Sequence, residues 1–451
     1  MPATLDTLDR SLATGQETSV SLTETALARA ADPLGEGARV FIERYPDSAR
    51  AAAQASDTLR RAGLARSPID GLPISVKDLF DVRGGITRSG SKVLDDAAPA
   101  TCDAVVVDRL RAAGAVIVGR TNMTEFAYSG LGLNPHYDTP RNPWDRATGR
   151  IPGGSSSGAA VSVSDGMAVA GIGSDTGGSV RIPSALCGLT GFKPTASRVP
   201  LDGVLPLSLH LDSIGPIAHS VRCCATLDAI MAADRRPLPT PARLKGLRLA
   251  VVTTLVQDGM GPEVAAAFRS AVDRLSAAGA QVEDLAVPAF SRLADINAKG
   301  GLTAAEAFAW HRMHIERAAH RYDPRVVSRI QRGQSMTAAD LLEVLAERRT
   351  WIDEVESTIA PYDAILMPTV PVIAPAIDEL VASDEAYAQA NMLILRNPTF
   401  INFLDGCSLS VPCHVPGEAP VGLMISAAGG ADRRVLSIGM AVEALLGQGQ
   451  A

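Results

Sequence analysis

A serine behind a pair of glycines can do chemistry that an ordinary surface serine cannot. In GSDTGGSVRIPSALCGLTGFKPT, residues 173–195, Ser179 follows Gly177 and Gly178, with Asp175 upstream and Arg181 downstream. Paired glycines let a backbone approach a ligand closely, or turn where a side chain would clash. A second cluster, GRIPGGSSSGAAVSV, residues 149–163, lies shortly before it. Three uses compete: a phosphate cradle, a set of tight turns, or the seat of a nucleophile. A cradle needs G-K-[ST], or G-x-G-x-x-G with a trailing acid, and neither cluster supplies one. Gly154-Ser155-Ser156-Ser157-Gly158 fits the G-x-S-x-G nucleophile elbow formally, but that motif must follow a buried strand. The preceding RNPWDRATGRIP is no such strand. Ser89-Gly90-Ser91-Lys92 fits S-x-x-K, yet the SDN and KTG partners of that chemistry are absent. None of the seven histidines lies near either serine cluster, so a Ser-His-Asp triad would have to be assembled from afar.

Taken together, GGSSSG (153–158), SDTGGS (174–179) and GFKPT (191–195) resemble the signature of the amidase signature family. The likeness extends upstream to GLPISVKDLFDV (71–82) and GAVIVGRTNMTEFAYSG (114–130), and more weakly to PVGLMISA (420–427). Among family members it is similar to malonamidase, carboxybiuret hydrolase and other small-amide amidases. The resemblance implies Ser179 as nucleophile, Ser155 as a serine behind a cis peptide bond, and Lys77 as base. It implies an oxyanion hole from the amides of Thr176, Gly177, Gly178 and Ser179, with Asp175, Arg181 and Ser174 in support. Ser174 stands where many members carry threonine, and a hydroxyl is retained. Tyr128 and Met123 fall in the segment that resembles the family's pocket wall. No metal and no other cofactor is implied.

The chemistry is sound on its own terms. A serine hydroxyl is a weak nucleophile until a base takes its proton. Lysine titrates near about 10.4, and burial disfavours its charged form by up to several units. The apolar run around Lys77 is consistent with such desolvation. The expected reaction is amide cleavage to a carboxylate plus ammonia or an amine, through an acyl-enzyme on Ser179. The alternative is the ammonia-releasing amidase component of a multi-subunit amidotransferase.

These residues must be held by something. DAVVVDRLRAAGAVIVG (103–119) reads as a helix, a cap at Gly114 and a short buried strand. PEVAAAFRSAVDRLSAAGAQVEDL (262–285) repeats that grammar, with Pro262 at a helix start and Gly279 as the cap. Short apolar runs at 247–254, 363–372, 407–415 and 421–428 read as buried strands, and 337–360 and 431–446 as helices. The alternation predicts an α/β fold: a large mixed sheet covered by helices on both faces. One amidase domain is expected over 1–451. It comprises an N-terminal helical segment (1–65), the signature core (66–230) and a C-terminal α/β part (247–451), with the proline-rich 233–246 as linker.

The remaining features exclude more than they assign. The 451 residues are 46% hydrophobic and 20% charged, with net charge −7 and no Lys/Arg-rich run, which does not favour nucleic acid or anionic membrane. The N-terminal thirty residues lack the apolar core of a signal peptide. No apolar stretch is long enough for a span. Six scattered cysteines without C-x-x-C read as reduced thiols, and the protein reads as cytoplasmic. His311 and His314, one helical turn apart in HRMHIERAAH, read as a solvated helix face rather than a metal site. Relatives of this kind are often dimers, so a homodimer is the expected assembly with no interface patch marked in the sequence.

Overall fold

The computed structural model describes residues 3–447, so the outermost ends of the expected domain (1–2 and 448–451) lie outside the described residues. The strands are β1 (Phe41–Arg44), β2 (Pro73–Lys77), β3 (Val116–Thr121), β4 (Ala170–Ser174), β5 (Thr190–Lys193) and β6 (Ile214–Ala218). The second half adds β7 (Arg248–Val252), β8 (Gln281–Leu285), β9 (Ala364–Pro368), β10 (Cys407–Pro412) and β11 (Gly422–Ala427). All eleven form one mixed sheet in the order β1-β3-β2-β4-β6-β5-β10-β11-β9-β7-β8. β2 runs parallel to β3 and β4, while β4–β6 and β5–β6 are antiparallel. The halves of the chain meet where β5 pairs antiparallel with β10.

Both helix-cap-strand units form. Helix Val105–Ala112 is followed by Gly114 at φ 96 and then β3. Helix Pro262–Ala277 is followed by Gly279 at φ 92 and then β8. The expected burial of β8 fails: it is the sheet's edge, with Gln281, Glu283 and Asp284 exposed and no residue fully buried. A charged, polar edge strand is a common device against edge-to-edge pairing. The helix Ala338–Ile359 starts with a capping box between Thr337 and Asp340.

The central strands are rich in glycine and small residues, and they are buried throughout. β4 reads AGIGS and is fully buried, because helix Ser157–Ser164 packs directly on it. A Cβ on Gly173 would stand 2.5 Å from the Ser156 hydroxyl, so only glycine allows that approach. Apolar clusters fill both faces, one running from Ile74, Val76 and Ile172 to Leu409 and Ile425, another around Trp351, Phe290 and Phe400. Among the described residues no helix is long and apolar enough to cross a membrane.

His311 departs from expectation. It is fully buried, its Nδ1 lies 2.9 Å from the Tyr322 hydroxyl, and its ring packs edge-on to Phe126. Burial pushes its pKa down to about 3, so it is a neutral core histidine. His320, further along, is exposed.

Candidate active site

β2 ends on Lys77, and the carboxyl ends of β2 and β4 lie side by side because the two strands are parallel. That places Lys77 at the loop after β4. The side chain is wholly buried, with its Nζ 2.7 Å from Ser155 Oγ, 2.9 Å from Ser174 Oγ and 3.5 Å from the Ser174 carbonyl. Burial pulls the ammonium pKa down to about 7, against the opposing pull of Asp212 and Asp175. Near neutrality the group is thus poised between amine and ammonium.

Ser155 follows a cis peptide bond from Gly154. Its carbonyl accepts the Thr124 amide at 3.1 Å. The next residue, Ser156, donates its amide to the Ser179 carbonyl at 3.2 Å, which ties the two serine loops together. Ser155 and Lys77 are fully closed off, whereas Ser179 retains slight exposure and lines a cavity of about 480 Å³.

The loop Asp175–Val180 is organised around one carboxylate. Asp175 Oδ1 accepts the Gly178 amide at 2.8 Å, Arg181 Nη2 at 2.9 Å and Asn402 Nδ2 at 2.9 Å. Oδ2 accepts the Val180 amide at 3.1 Å, the Arg181 amide at 3.3 Å and Arg181 Nε at 3.0 Å. Burial alone would raise this carboxyl's pKa, but the Arg181 guanidinium and the Asn402 amide hold it well below the usual carboxylate range. The loop itself needs glycine at 178, where φ is 121 and a Cβ would stand 2.6 Å from both Ile182 Cδ1 and Pro398 Cβ.

Breaking a buried ion pair strands a charge away from water, and typically costs about 3–5 kcal/mol. Arg181→Met is expected to lower stability by about that amount, read from the urea midpoint at constant m-value. An unchanged midpoint would mean that Asp175 finds its balance elsewhere.

The expected oxyanion donors divide. Gly178 spends its amide on Asp175 and is not free to meet a substrate oxygen. The amides of Thr176, Gly177 and Ser179 have no partner among the described residues, and all three residues line the cavity. Tyr128 lines it too, whereas Met123 is fully buried in the core, its sulfur 3.8 Å from the Ser89 hydroxyl, and does not reach the cavity. Asn142 is buried and braces the approach to the first serine loop, with Nδ2 bonded to the Ile151 and Leu186 carbonyls.

Sequence reasoning missed two supports. Asp212 accepts the Thr176 hydroxyl on Oδ1 and the Leu207 and Ser208 amides on Oδ2. Burial lifts its pKa to about 6, and it is the carboxylate that most strongly favours the charged form of Lys77. Asn402 donates to both the carbonyl and the carboxylate of Asp175 and accepts from Arg181. Nothing in LSLHLDSIGP marks Asp212. The one signal for Asn402 is that a polar residue just before the apolar run 407–415 needs a hydrogen-bond partner when buried.

Comparison with known proteins fixes the class. The chain is 38% identical to the 2-amino-5-chloromuconic acid deaminase of Comamonas testosteroni, over 89% of its own length and 87% of the relative's. It is 34% identical to a Glutamyl-tRNA(Gln) amidotransferase subunit of Chloroflexus aggregans (strain MD-66 / DSM 9485), covering 94% and 92% of the two chains. A crystal structure of an amidase superposes with a TM-score of 0.88 at 33% identity, covering 98% and 99%. Fold and relatives together define a hydrolase acting on amide carbon–nitrogen bonds. The chain belongs to the Amidase family, whose model matches residues 21–436.

Proposed function

We propose that this chain is a free-standing amidohydrolase that cleaves a small linear amide through an acyl-enzyme on Ser179. The observation that carries the reading is the buried Lys77 amine, 2.7 Å from Ser155 Oγ, on a loop bonded to the backbone of Ser179. A neutral amine has two N–H donors and one lone pair. The donors suit the two Ser174 oxygens, and the lone pair then accepts the Ser155 hydroxyl proton.

In that state Ser155 can accept the proton of Ser179 as it passes its own to Lys77. Ser179 Oγ attacks the amide carbon, and the amides of Thr176, Gly177 and Ser179 receive the developing oxyanion. One such donor is worth about 3 kcal/mol of barrier. The proton returns from Lys77 through Ser155 to the leaving nitrogen, the C–N bond breaks, and ammonia or an amine departs. Water then attacks the ester by the same relay in reverse, giving the carboxylate and free Ser179.

An alkyl fluorophosphonate tests the reading, since it labels a serine that is activated in this way. One equivalent should abolish ammonia release, and the adduct should map to the peptide carrying Ser179. A label on another residue, with activity lost in step, would sink the assignment. A second reading is an ammonia-releasing component of a larger assembly, favoured by the 34% identity to a protein named as one subunit of an amidotransferase. Ammonia release that requires a co-purifying second chain would select it.

A further inference from the structure

The cavity above Ser179 carries an unusual charge pattern. Its only fully charged lining residues are Arg329 and Arg332, and no aspartate or glutamate lines it among the described residues. The side-chain contacts of both arginines among the described residues are to backbone carbonyls and an aromatic ring, none to a carboxylate. Arg329 closes helix Pro324–Gln331 and holds the Tyr128 carbonyl through Nη1 at 2.8 Å, stacked over the Tyr387 ring. Arg332 stands one turn on and has one long contact, 3.4 Å from Nη2 to the Ala298 carbonyl. The two guanidinium charges converge on the Tyr128 phenol: burial lifts its pKa, and both arginines pull against that rise. Asn391 adds uncharged donors. Its Oδ1 is taken by the Ser129 hydroxyl and the Gly130 amide, which leaves Nδ2 without a partner among the described residues.

Two arginines without counter-ions, beside free amide donors and no acceptor carboxylate, select for an anion. They equally select against an ammonium, which would find like charge and no partner. Resting on the hydrolase reading above, we propose that the substrate is an amide whose acyl chain ends in a carboxylate and bears no amino group. The monoamide of a dicarboxylic acid is the simplest member of that class. Arg332 is the specificity residue, because Arg329 also carries a structural contact to Tyr128. Glutamine, which carries an α-ammonium beside its carboxylate, fits this cavity poorly.

The test compares ammonia release from malonamate, succinamate, glutaramate and adipamate with that from uncharged amides of matching length and from glutamine. The best monoamide should exceed its neutral counterpart and glutamine in kcat/KM by about 100-fold, the scale of one good charge-assisted contact. Arg332→Met should remove about 10- to 100-fold of that advantage, mainly in KM. Arg332→Lys should restore part of it. An unchanged urea midpoint shows that the variant is folded. Neutral amides or glutamine hydrolysed as well as any monoamide would overturn this inference and leave the hydrolase reading standing. Silence on every amide from folded wild-type protein would overturn both.

Discussion

Lys77→Met is expected to lower kcat for amide hydrolysis by about four orders of magnitude, the scale of removing one member of a nucleophile–base unit. At 1.36 kcal/mol per decade that is about 5.5 kcal/mol of barrier. The effect follows from where the amine sits. No other basic group lies within hydrogen-bond reach of Ser155 Oγ among the described residues, so no neighbour can replace it. On the proposed mechanism the working form in the wild type is the neutral amine, which burial favours by pulling the pKa down to about 7. Activity should therefore fall as pH drops through about 7 and level off above it, while the residual activity of Lys77→Met should lack that limb.

Stability supplies a second readout with its own sign. Between about 7 and the ordinary lysine range, the unfolded chain binds a proton at Lys77 that the folded chain does not, so wild-type stability rises with pH across that window. Methionine contributes no such slope. The stability of the variant relative to wild type should thus decline as pH rises from 7 to 10. A variant that keeps more than about a tenth of wild-type kcat at pH 8 would mean that the proton goes elsewhere.

Ser179→Ala should cost as much in kcat, again about four orders of magnitude, while leaving substrate affinity nearly unchanged. The hydroxyl makes no hydrogen bond that supports the fold: the loop is held by its own backbone amides on Asp175 and by the Ser156 amide on the Ser179 carbonyl. On the proposed mechanism, removing it takes away the attacking atom and little else. Other hydroxyls line the cavity, and they provide the control. Thr176 is committed to Asp212, and Thr399 makes a 3.5 Å contact with the Gly177 carbonyl. Thr399→Val should keep kcat within about tenfold of wild type. Calorimetric titration of Ser179→Ala with the amide used in the kinetic assay checks the binding half; loss of affinity in parallel with kcat would point to a collapsed loop.

Parts of this architecture were legible in advance for identifiable reasons. Helices 105–112 and 262–277 announced themselves through 3.6-residue periodicity and a capping glycine at φ near 90. In the second half β7, β9 and β11 are short and largely apolar, which leaves few other structures open to them. The strands nearest the site were opaque. AGIGS, TGFK and IGPIA look like loops, because their glycines answer to the closeness of a neighbouring element rather than to strand propensity.

The same contrast holds within the site. Lys77, Ser155 and Ser179 lie in contiguous motifs. Asp212, Asn402, Arg329 and Arg332 reach it only through tertiary packing, and no spacing along the chain encodes that. Met123, expected at the pocket wall, and His311, expected on a solvated helix face, both lie in the core, because burial at those positions is set by packing that no local spacing reveals.

The two bonds from Asn402 Nδ2 to Asp175 span 227 positions of sequence. A ribosome must therefore have added 227 residues after Asp175 before the hub of the nucleophile loop can be completed. Contacts of such long reach form late, after loop-closure entropy has been met by other interactions. The emerging polypeptide thus carries Ser179 and Lys77 long before the loop around Asp175 is complete, and full assembly waits on the docking of the helix that bears Asn402.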